Sequence, residues 1–420
     1  MKKLADDCFL HDKDRLRHDD AIAILKERLV TIAKTELLPL EAVAGRILAQ
    51  DITAPRNIPS TDNAAVDGYA FAFNDHEPTG GFFPISTRIP AGQTEQLELP
   101  GFSAARIFTG APMPQGSDTV AMQEDCERHD QDGSRFVIIP AGLKKGANCR
   151  KAGEDVTKGD SVSKKNQRLR PQDVAAIAST GVSEVSVFRK LRVGVLSSGD
   201  EILRPGDEFS DGQVYDANHY MLRSFMDTLP IEFTDLGISD DNPAQVETVL
   251  KEAAATHDVI LSTGGASRGE EDHFVSALEK LGNCHLWQLA VKPGRPMSFG
   301  QIDNTPCFTL PGNPVAAFVC FLLYVRPSLL ILAGCQWSEI EKYEIPSGFS
   351  LTSKPDRREF LRGKIIYNEN GIAELEKFQR DGSGLISGLQ FAGGLIEIPE
   401  ETTKVDIGER INFIPLSQFF

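Results

Sequence analysis

The chain has 420 residues, too many for one small hydrophobic core, and we expect about two to four domains. Its net charge of −16 at pH 7 argues against nucleic acid and against an anionic membrane surface as partners, because both require a basic face on the protein. An anionic ligand would therefore have to be recognised locally. The seven cysteines are scattered and include no CxxC pair, which is typical of reduced thiols in a cytoplasmic protein.

The first 190 residues combine helical and irregular β segments. Apolar residues recur at helical spacing over 20–34, which predicts an amphipathic helix, and 174–182 predicts a second helix that stops at a glycine. Between them, short strand-like segments broken by proline, glycine and asparagine predict an irregular β module. We therefore expect a helical stalk formed by 7–54 and 150–190, with the β module at 55–149 inserted into it. The N-terminus has no continuous apolar stretch, so we expect no signal peptide.

Residues 191–338 alternate strands with helical stretches, the signature of right-handed βαβ units and a mainly parallel α/β core. Four buried strands, LRVGVL, HDVILS, LWQLAV and PCFTL, each stop at a loop of glycine, proline or small hydroxyl residues. Ligands bind outside the carboxyl ends of strands in such sheets, so we predict an anion site there. The apolar segment 315–334 comes closest to a membrane span, but Arg326 and Pro327 interrupt it, and we expect a core helix. Residues 339–420 return to short β segments and predict a small β-barrel.

The loops after these four strands carry charged residues that suit an anion and a metal ion. Lys292 and Arg295 in KPGRP flank a proline-glycine turn, and two cations in one small volume repel each other unless an anion is bound. Gly264 and Gly265 would let backbone N–H groups approach a phosphate or a pterin ring, although neither GK[ST] nor GxGxxG is present. The three acids of TGGASRGEED either begin a solvated helix or, with Glu201 of SSGDE, hold a divalent metal.

Further candidates lie in turn-rich stretches, and each also has an ordinary structural explanation. Asp62 in IPSTDNAAVDGYA and Thr109 in FTGAPMPQGSD are residue types that commonly form turns. Asp155 in KAGEDV is more simply explained by solvation. Pro311 and Pro314 in PGNPVAA precede an apolar helix, where they either present a rigid loop to a ligand or serve as a connector.

Taken in order, DNAAVDGYAF, FTGAPMP, GEDV, SSGDE, TGGASRGEED, KPGRP and LPGNPV resemble the molybdopterin molybdenumtransferases, the MoeA family, and the C-terminal domain of gephyrin. The resemblance covers nearly the whole chain. It implies a transferase with a molybdopterin-binding α/β core that inserts molybdate into adenylylated molybdopterin, releases AMP and forms the molybdenum cofactor. It also implies Mg²⁺ as a cofactor and an elongated homodimer with composite sites. Molybdopterin adenylyltransferase and molybdoenzyme chaperones are further partners that it would accommodate.

The resemblance also implies roles for individual residues. The expected catalytic residues are Asp62, Asp155, Glu201, Asp241 and Asp272, of which Glu201 and Asp272 would hold the metal ion. The expected substrate-binding residues are Thr109, Gly264, Gly265, Lys292, Arg295, Pro311, Pro314, Arg357 and Ser387. The chain departs from the family pattern at Arg295, where many relatives have lysine, at Ala316, where a hydroxyl is often present, and at Arg268, which is bulkier than usual.

Two other functions remain open at the level of sequence. The α/β core alone also resembles molybdopterin adenylyltransferases, although the additional β modules argue against that activity. A scaffold that binds receptor peptides, like the gephyrin domain, is the second alternative; no separate adenylylation domain or long linker supports it.

Overall fold

The computed structural model describes residues 15–131, 133–239, 242–265 and 273–420, and these form two compact units. Unit 1 comprises the described residues up to Gln50, Asn166–Arg170 and Glu184–Phe420. Unit 2 comprises Asp51–Lys165 and Pro171–Ser183. The chain thus leaves unit 1 and returns to it twice. The boundaries of the four predicted domains stay predictions.

The regular elements are short and numerous. The strands are β1 Thr35–Pro39, β2 Ile47–Leu48, β3 Ile52–Thr53, β4 Asn63–Ala64, β5 Gly68–Phe71, β6 Phe82–Ile89, β7 Ala104–Ile107, β8 Thr119–Met122, β9 Glu127–Gln131, β10 Ser134–Ile138, β11 Cys149–Arg150, β12 Ser161–Ser163, β13 Glu184–Phe188, β14 Leu191–Ser198, β15 Ile202–Leu203, β16 Val214–Tyr215, β17 Ile231–Ser239, β18 Val259–Thr263, β19 Asn283–Gln288, β20 Val291–Lys292, β21 Pro296–Ile302, β22 Thr305–Leu310, β23 Tyr343–Pro346, β24 Leu351–Thr352, β25 Arg358–Tyr367, β26 Ala373–Lys377, β27 Gly394–Ile398, β28 Lys404–Val405 and β29 Arg410–Pro415. The α-helices are α1 His18–Arg28, α2 His76–Thr79, α3 Pro171–Ser179, α4 Ala217–Met226, α5 Pro243–Thr256, α6 His273–Leu281, α7 Pro314–Cys320, α8 Arg326–Leu332 and α9 Ile386–Phe391.

Unit 1 is built around a six-stranded mixed sheet with the order β17-β14-β18-β22-β21-β19. The first four strands are parallel, and β21 is antiparallel to both of its neighbours. Because β19 is antiparallel to β21, it runs in the same direction as β22. Every residue of β18 and β22 is buried, as expected for parallel strands covered on both faces. The four strands that the sequence predicted to end at one edge of a sheet therefore do so.

The apolar segment after β22 is a continuous helical stretch, in which α7 passes through a π-helical turn at Phe321–Val325 into α8. This stretch, Pro314–Leu332, is long and apolar enough to cross a membrane, yet 83% of its most apolar window is buried inside the protein. Leu322 and Leu323 belong to the largest core cluster of unit 1, together with strand residues such as Val193 and Leu261. It is the core helix that the sequence predicted.

The last region of unit 1 contains a sheet with the order β20-β25-β27-β29-β23, with β26 paired to β25. Its edge strand β20 follows β19 of the α/β region in the sequence, and it pairs with β25 in parallel so that Lys292 lies opposite Glu359. Two segments far apart in the sequence therefore share one sheet. At the other edge, Ser347 forms an isolated bridge to Leu375 of β26.

The predicted stalk is less helical than expected. The helix predicted over 20–34 is wrong beyond Arg28, because α1 ends there and Leu29 has an extended backbone. Three residues with β-branched side chains follow at 30–32, which disfavours helix because such side chains lose rotamer freedom in it. The chain then enters β1, which pairs with β13. The second predicted helix is present as α3.

Unit 2 contains a six-stranded sheet with the order β8-β5-β7-β6-β10-β9 and two short antiparallel pairs, β11-β4 and β12-β3. Tyr69, Phe71 and Phe83 are fully buried on one side of this sheet. A second small cluster of aliphatic residues forms around Ile107 and Val120. The segment predicted as an irregular β module is thus a set of short strands with two small cores, and it presents its motifs on the connecting loops.

Candidate functional site

A cleft of about 670 Å³ lies where β14, β18 and β22 of unit 1 end, and we call it the strand-end cleft. Ser198 is the last residue of β14, Thr263 is the last of β18, and Pro311 follows β22; all three line the cleft. Ligands of α/β sheets bind at this edge because the loops there expose backbone N–H groups. The cleft lies where the sequence predicted an anion site.

Gly264 lets two of these loops approach each other. Its φ is +90°, and a Cβ at this position would lie 2.4 Å from the carbonyl oxygen of Ser198. Its N–H donates to the carbonyl of Leu310 at 3.1 Å. Any other residue would strain the backbone and push the loops apart. Gly265 lines the cleft beside it, so both predicted glycines lie where a ligand would contact the backbone.

Asn218, at the start of α4, ties the cleft together and was missed by sequence reasoning. Its Nδ2 donates to Thr263 Oγ1 at 2.8 Å and to the carbonyl of Gly312 at 2.7 Å, whereas its buried Oδ1 has no protein partner. Asp216 caps the same helix by accepting from the backbone N–H of His219 at 2.9 Å. The visible signal was the helix cap in YDANHY, which marks a helix start but not a site.

Glu201 lines the strand-end cleft and is exposed, as a residue that meets a ligand should be. Its carboxylate lies over Gly199, where a Cβ would be 2.6 Å from Oε2. Gly199 has a φ of +143°, which glycine tolerates. The carboxylate is therefore free of steric competition from the loop on which it lies.

A second cavity of about 500 Å³ adjoins the first, and Pro296, Pro311 and Asn313 line both. Its described lining contains one acid, Asp381, and six cationic residues, namely Arg15, Lys292, Arg295, Arg357, Arg362 and Lys377. We call it the cationic cavity. The chain has a net charge of −16, so this cluster of positive charge stands out and favours the binding of an anion in the cavity.

Two of the predicted cations meet on one buried carboxylate. Glu359 is 3% exposed; its Oε2 accepts from Lys292 Nζ at 3.1 Å, and its Oε1 accepts from Arg357 Nη2 at 2.7 Å. Ser353 Oγ also donates to Oε1 at 3.1 Å. Burial raises the pKa of Glu359, but the hydrogen bonds from Arg357 and Lys292 outweigh it and leave the pKa below its usual value. Glu359 is therefore ionised and holds both cations at the cavity wall.

Arg295 lies on the same loop as Lys292, as KPGRP suggested, and its Nη2 donates to Gln288 Oε1 at 3.0 Å. Gly294 between them has a φ of +112°, and a Cβ there would lie 2.6 Å from Cys320 Sγ. The loop thus packs directly on the core helix. A side chain at position 294 would displace both cations.

Sequence reasoning missed three of the cationic residues in this cavity, Arg15, Arg362 and Lys377, and Arg362 is the most buried of them. It is 8% exposed, and its guanidinium donates to the carbonyls of Gly382 at 3.0 Å, Arg380 at 3.1 Å and Leu385 at 3.4 Å. Burial lowers its pKa, since the carbonyls supply no compensating charge. Arg362 fixes the loop that carries Ser383 into the cavity wall. The available signal was an arginine within the buried first half of a strand, a position that Arg358 of the same strand shares.

Three other predicted residues line the two cavities, and three do not or lie outside the described residues. Pro311 and Pro314 line the strand-end cleft, and Arg357 lines the cationic cavity. Ser387 is exposed on α9 and lines neither cavity. Asp241 and Asp272 lie outside the described residues, as do Arg268 and the other acids of TGGASRGEED.

The remaining predicted residues lie in unit 2, on loops that are hydrogen-bonded to one another. Asp62 accepts from Lys151 Nζ at 2.7 Å and from the backbone N–H of Ala152 at 2.9 Å, and these bonds lower its pKa. Thr109 donates to Asp67 Oδ1 from its hydroxyl at 2.7 Å and from its N–H at 2.8 Å. The carbonyl of Asp62 also accepts from the N–H of Met113 at 2.9 Å, which joins these two loops. Asp155 is exposed, and its N–H donates to the carbonyl of Ile58 at 3.1 Å.

The described residues contain one of the two expected metal ligands. Glu201 offers a hard oxygen ligand in the strand-end cleft, which suits Mg²⁺. Within the described ranges, no group of three or more histidine, cysteine or acidic side chains could hold a metal ion. The second expected ligand, Asp272, lies outside those ranges. One carboxylate of the expected pair therefore fits.

Three family models match consecutive parts of the chain. They are the MoeA N-terminal region (domain I and II) over residues 16–181, the probable molybdopterin binding domain over 194–330, and the MoeA C-terminal region (domain IV) over 344–416. The strand-end cleft is built mainly from the second region, and the cationic cavity draws on the second and third.

Individual relatives give the same result over nearly full length. The chain is 36% identical over 400 residues to the molybdopterin molybdenumtransferase of Haemophilus influenzae, covering 95% of this chain and 98% of the relative. It is 31% identical to molybdopterin molybdenumtransferase 2 of Mycobacterium tuberculosis, covering 89% and 93%. The crystal structure of a molybdopterin biosynthesis MoeA protein from Pyrococcus horikoshii OT3 superposes with a TM-score of 0.79 at 30% identity, covering 96% of this chain and 100% of that one. The chain therefore belongs to the MoeA family of molybdopterin molybdenumtransferases.

Proposed function

We propose that this protein inserts molybdate into adenylylated molybdopterin and releases AMP, forming the molybdenum cofactor. The observation that carries the proposal is the contact between two cavities, one at the strand ends and one lined by six cationic residues against a single described acid. The names of its relatives support the same activity. The adenylyltransferase alternative is not favoured, because the N-terminal and C-terminal MoeA regions both match.

We assign the oxyanion to the cationic cavity and the pterin and phosphate groups to the strand-end cleft. Molybdate is a dianion, and Lys292, Arg295 and Arg357 line the first cavity with charges that attract it. Arg362 supports the wall from a buried position. The glycine loop at Gly264 allows close approach to backbone N–H groups in the second cavity.

Catalysis in this arrangement is electrostatic and positional. The cations hold the oxyanion beside the cleft, so that it meets the dithiolene sulfurs of a pterin bound there. No protein nucleophile is required. Cys320, which packs against the cation-bearing loop, has its pKa raised to about 12 by burial and stays a thiol.

Mg²⁺, the cofactor we propose, would polarise the phosphoanhydride when bound. Glu201 would hold it from the strand-end cleft, together with Asp272.

We further propose that the C-terminal sheet is a closed barrel, which the bridge between Ser347 and Leu375 supports.

We also propose a cytoplasmic homodimer that combines unit 2 loops of one protomer with the unit 1 cavities of its partner. Mixing an Asp62→Ala protein with a Lys292→Ala protein should then restore activity, since one composite site per heterodimer is intact. After confirmed subunit exchange, unchanged inactivity would contradict shared sites.

The function is tested by incubating the protein with adenylylated molybdopterin, Mg²⁺ and molybdate and measuring AMP. We expect AMP release that depends on molybdate. ATP consumption with free molybdopterin would instead indicate the adenylyltransferase, and a thermal shift with receptor peptide alone would indicate a scaffold.

A further inference from the structure

The buried carboxylate of Glu359 divides its two oxygens between cations from distant parts of the chain. Oε2 accepts from Lys292, the last residue of β20, and Oε1 accepts from Arg357, immediately before β25. Lys292 belongs to the probable molybdopterin binding region, whereas Arg357 belongs to the MoeA C-terminal region. The two cations are thus fixed relative to each other through one side chain.

The backbone reinforces this arrangement. In the parallel pairing of β20 with β25, Lys292 lies opposite Glu359, and the N–H of Arg358 donates to the carbonyl of Ala290 at 2.8 Å. Lys292 is 43% exposed at its side chain, so a long and mobile ammonium group would otherwise sample many positions. The carboxylate restricts it to the cavity wall.

We infer that Glu359 is a positioning residue for the oxyanion: it sets the separation and orientation of Lys292 and Arg357 and screens their mutual repulsion before the anion binds. This rests on the proposed function. The single negative charge leaves one net positive charge on the triad, so the site remains attractive to a dianion. Glu359 is buried and is not among the residues that line the cavity. Its carboxylate can therefore position Lys292 and Arg357 without occupying space that the ligand needs.

Glu359→Gln is the sharp perturbation, because glutamine has one acceptor oxygen and one NH₂ donor. Whichever way the amide turns, its NH₂ faces either Lys292 or the side chains of Arg357 and Ser353. We expect molybdate to bind about ten-fold more weakly by calorimetry on the full-length protein, equivalent to about 1.4 kcal/mol. Glu359→Asp keeps both oxygens and the charge and should recover part of the affinity.

The matched control is Glu397→Gln. Glu397 is 1% exposed in the same sheet and also binds two cations, Arg358 at 3.1 Å and Lys342 at 2.7 Å, but it lines neither cavity. It should lose stability and keep wild-type molybdate affinity. Equal loss of affinity in both variants, or wild-type or tighter binding by Glu359→Gln, would overturn the inference.

A double-mutant cycle with Lys292→Gln measures the coupling between Glu359 and Lys292 in molybdate binding, which a general loss of stability would not change. If Glu359 acts through Lys292, then Glu359→Gln should weaken molybdate binding less in the Lys292→Gln background than in the wild type. Full additivity would overturn the positioning role. The same wild-type preparation is assayed for AMP release: absence of both binding and release contradicts the proposed function, whereas normal wild-type behaviour with an unaffected Glu359→Gln variant contradicts the inference alone.

Discussion

Replacement of Arg362 by methionine should weaken oxyanion binding strongly at a modest cost in stability. The guanidinium makes two good hydrogen bonds to carbonyls, at 3.0 and 3.1 Å, and a weak one at 3.4 Å. The lower bound for a hydrogen bond to a charged group is about 1.5 kcal/mol. We use this lower bound because Gly382 and Arg380 are exposed, so water can bond to their carbonyls when the guanidinium is removed. Removing a buried cation also removes its desolvation cost, so we expect a net loss of about 2 kcal/mol.

This loss corresponds to a Tm lower by about 4 to 8 °C, measured by calorimetry. Molybdate affinity should fall by about 30-fold, equivalent to about 2 kcal/mol, since the cavity loses one of its six cations and the bonds that hold the loop of Ser383 in its wall. Arg358→Met is the contrasting variant. Arg358 pairs with Glu397 at 3.1 Å and Glu400 at 2.9 Å. Its removal leaves these buried carboxylates without that cation and should lower the free energy of unfolding by about 3 to 5 kcal/mol, while the cavity lining stays intact.

The reasoning is refuted if Arg362→Met binds molybdate like the wild type, or if it destabilises the protein more than Arg358→Met. Either result would mean that Arg362 supports the fold and not the anion.

Lys292→Ala combined with Arg295→Ala should reduce molybdate affinity more than ten-fold, about 1.4 kcal/mol, because the cavity loses two of its six cations; equal affinity would reject the assignment. The Tm should also fall, since buried Glu359 loses its bond from Lys292 and keeps those from Arg357 and Ser353. Burial lowers the pKa of His18 to about 4, so its contribution to stability is complete above the usual value near 6.5 and is lost as the pH falls from 6.5 to 4. The loss should approach about 3 kcal/mol in the wild type, and a plot of Tm against pH should be flatter over this range in His18→Gln. For Asp258, burial raises the pKa, but bonds from Arg189 and Arg192 depress it well below the usual 3.8, so its stabilisation is present above that value and lost at lower pH. Asp258→Asn should therefore lower the Tm at neutral pH and reduce the acid dependence below about pH 4; an unchanged acid profile would contradict the assignment.

Much of the α/β region could be predicted because its local and tertiary signals agree. The helical stretches predicted within 191–338 are present, among them α4, α5 and α6, and the glycine loops follow strands that end at one edge. The helix over 20–34 was overextended, since apolar spacing persists through Leu29 and Ile32 although the backbone has left the helix. Those side chains pack on the core from an extended segment, and periodicity alone does not separate the two cases.

Spacing alone predicted the part of the cationic cavity whose residues are neighbours in the sequence, whereas Arg357 was expected only from the family resemblance. Lys292 and Arg295 share one loop, and their proximity follows from spacing. Arg362 and Glu359 contribute through contacts with residues that are distant along the chain or on another loop, which no local pattern encodes. The hydrogen-bond partners of the buried Arg362 are backbone carbonyls, which leave no pattern of side chains in the sequence.

The cationic cavity has a consequence for the order in which the protein is made. Its lining extends from Arg15 to Ser383, so the binding site is incomplete until most of the 420 residues have been synthesised. The strand-end cleft is likewise completed by Gly384 and Ile386, which follow β25 in the sequence. Domains fold as units during synthesis, and β14, β18 and β22 can pair before β25 is available to pair with β20. A prematurely terminated chain could thus form the central strands of the sheet and still lack residues of both cavities.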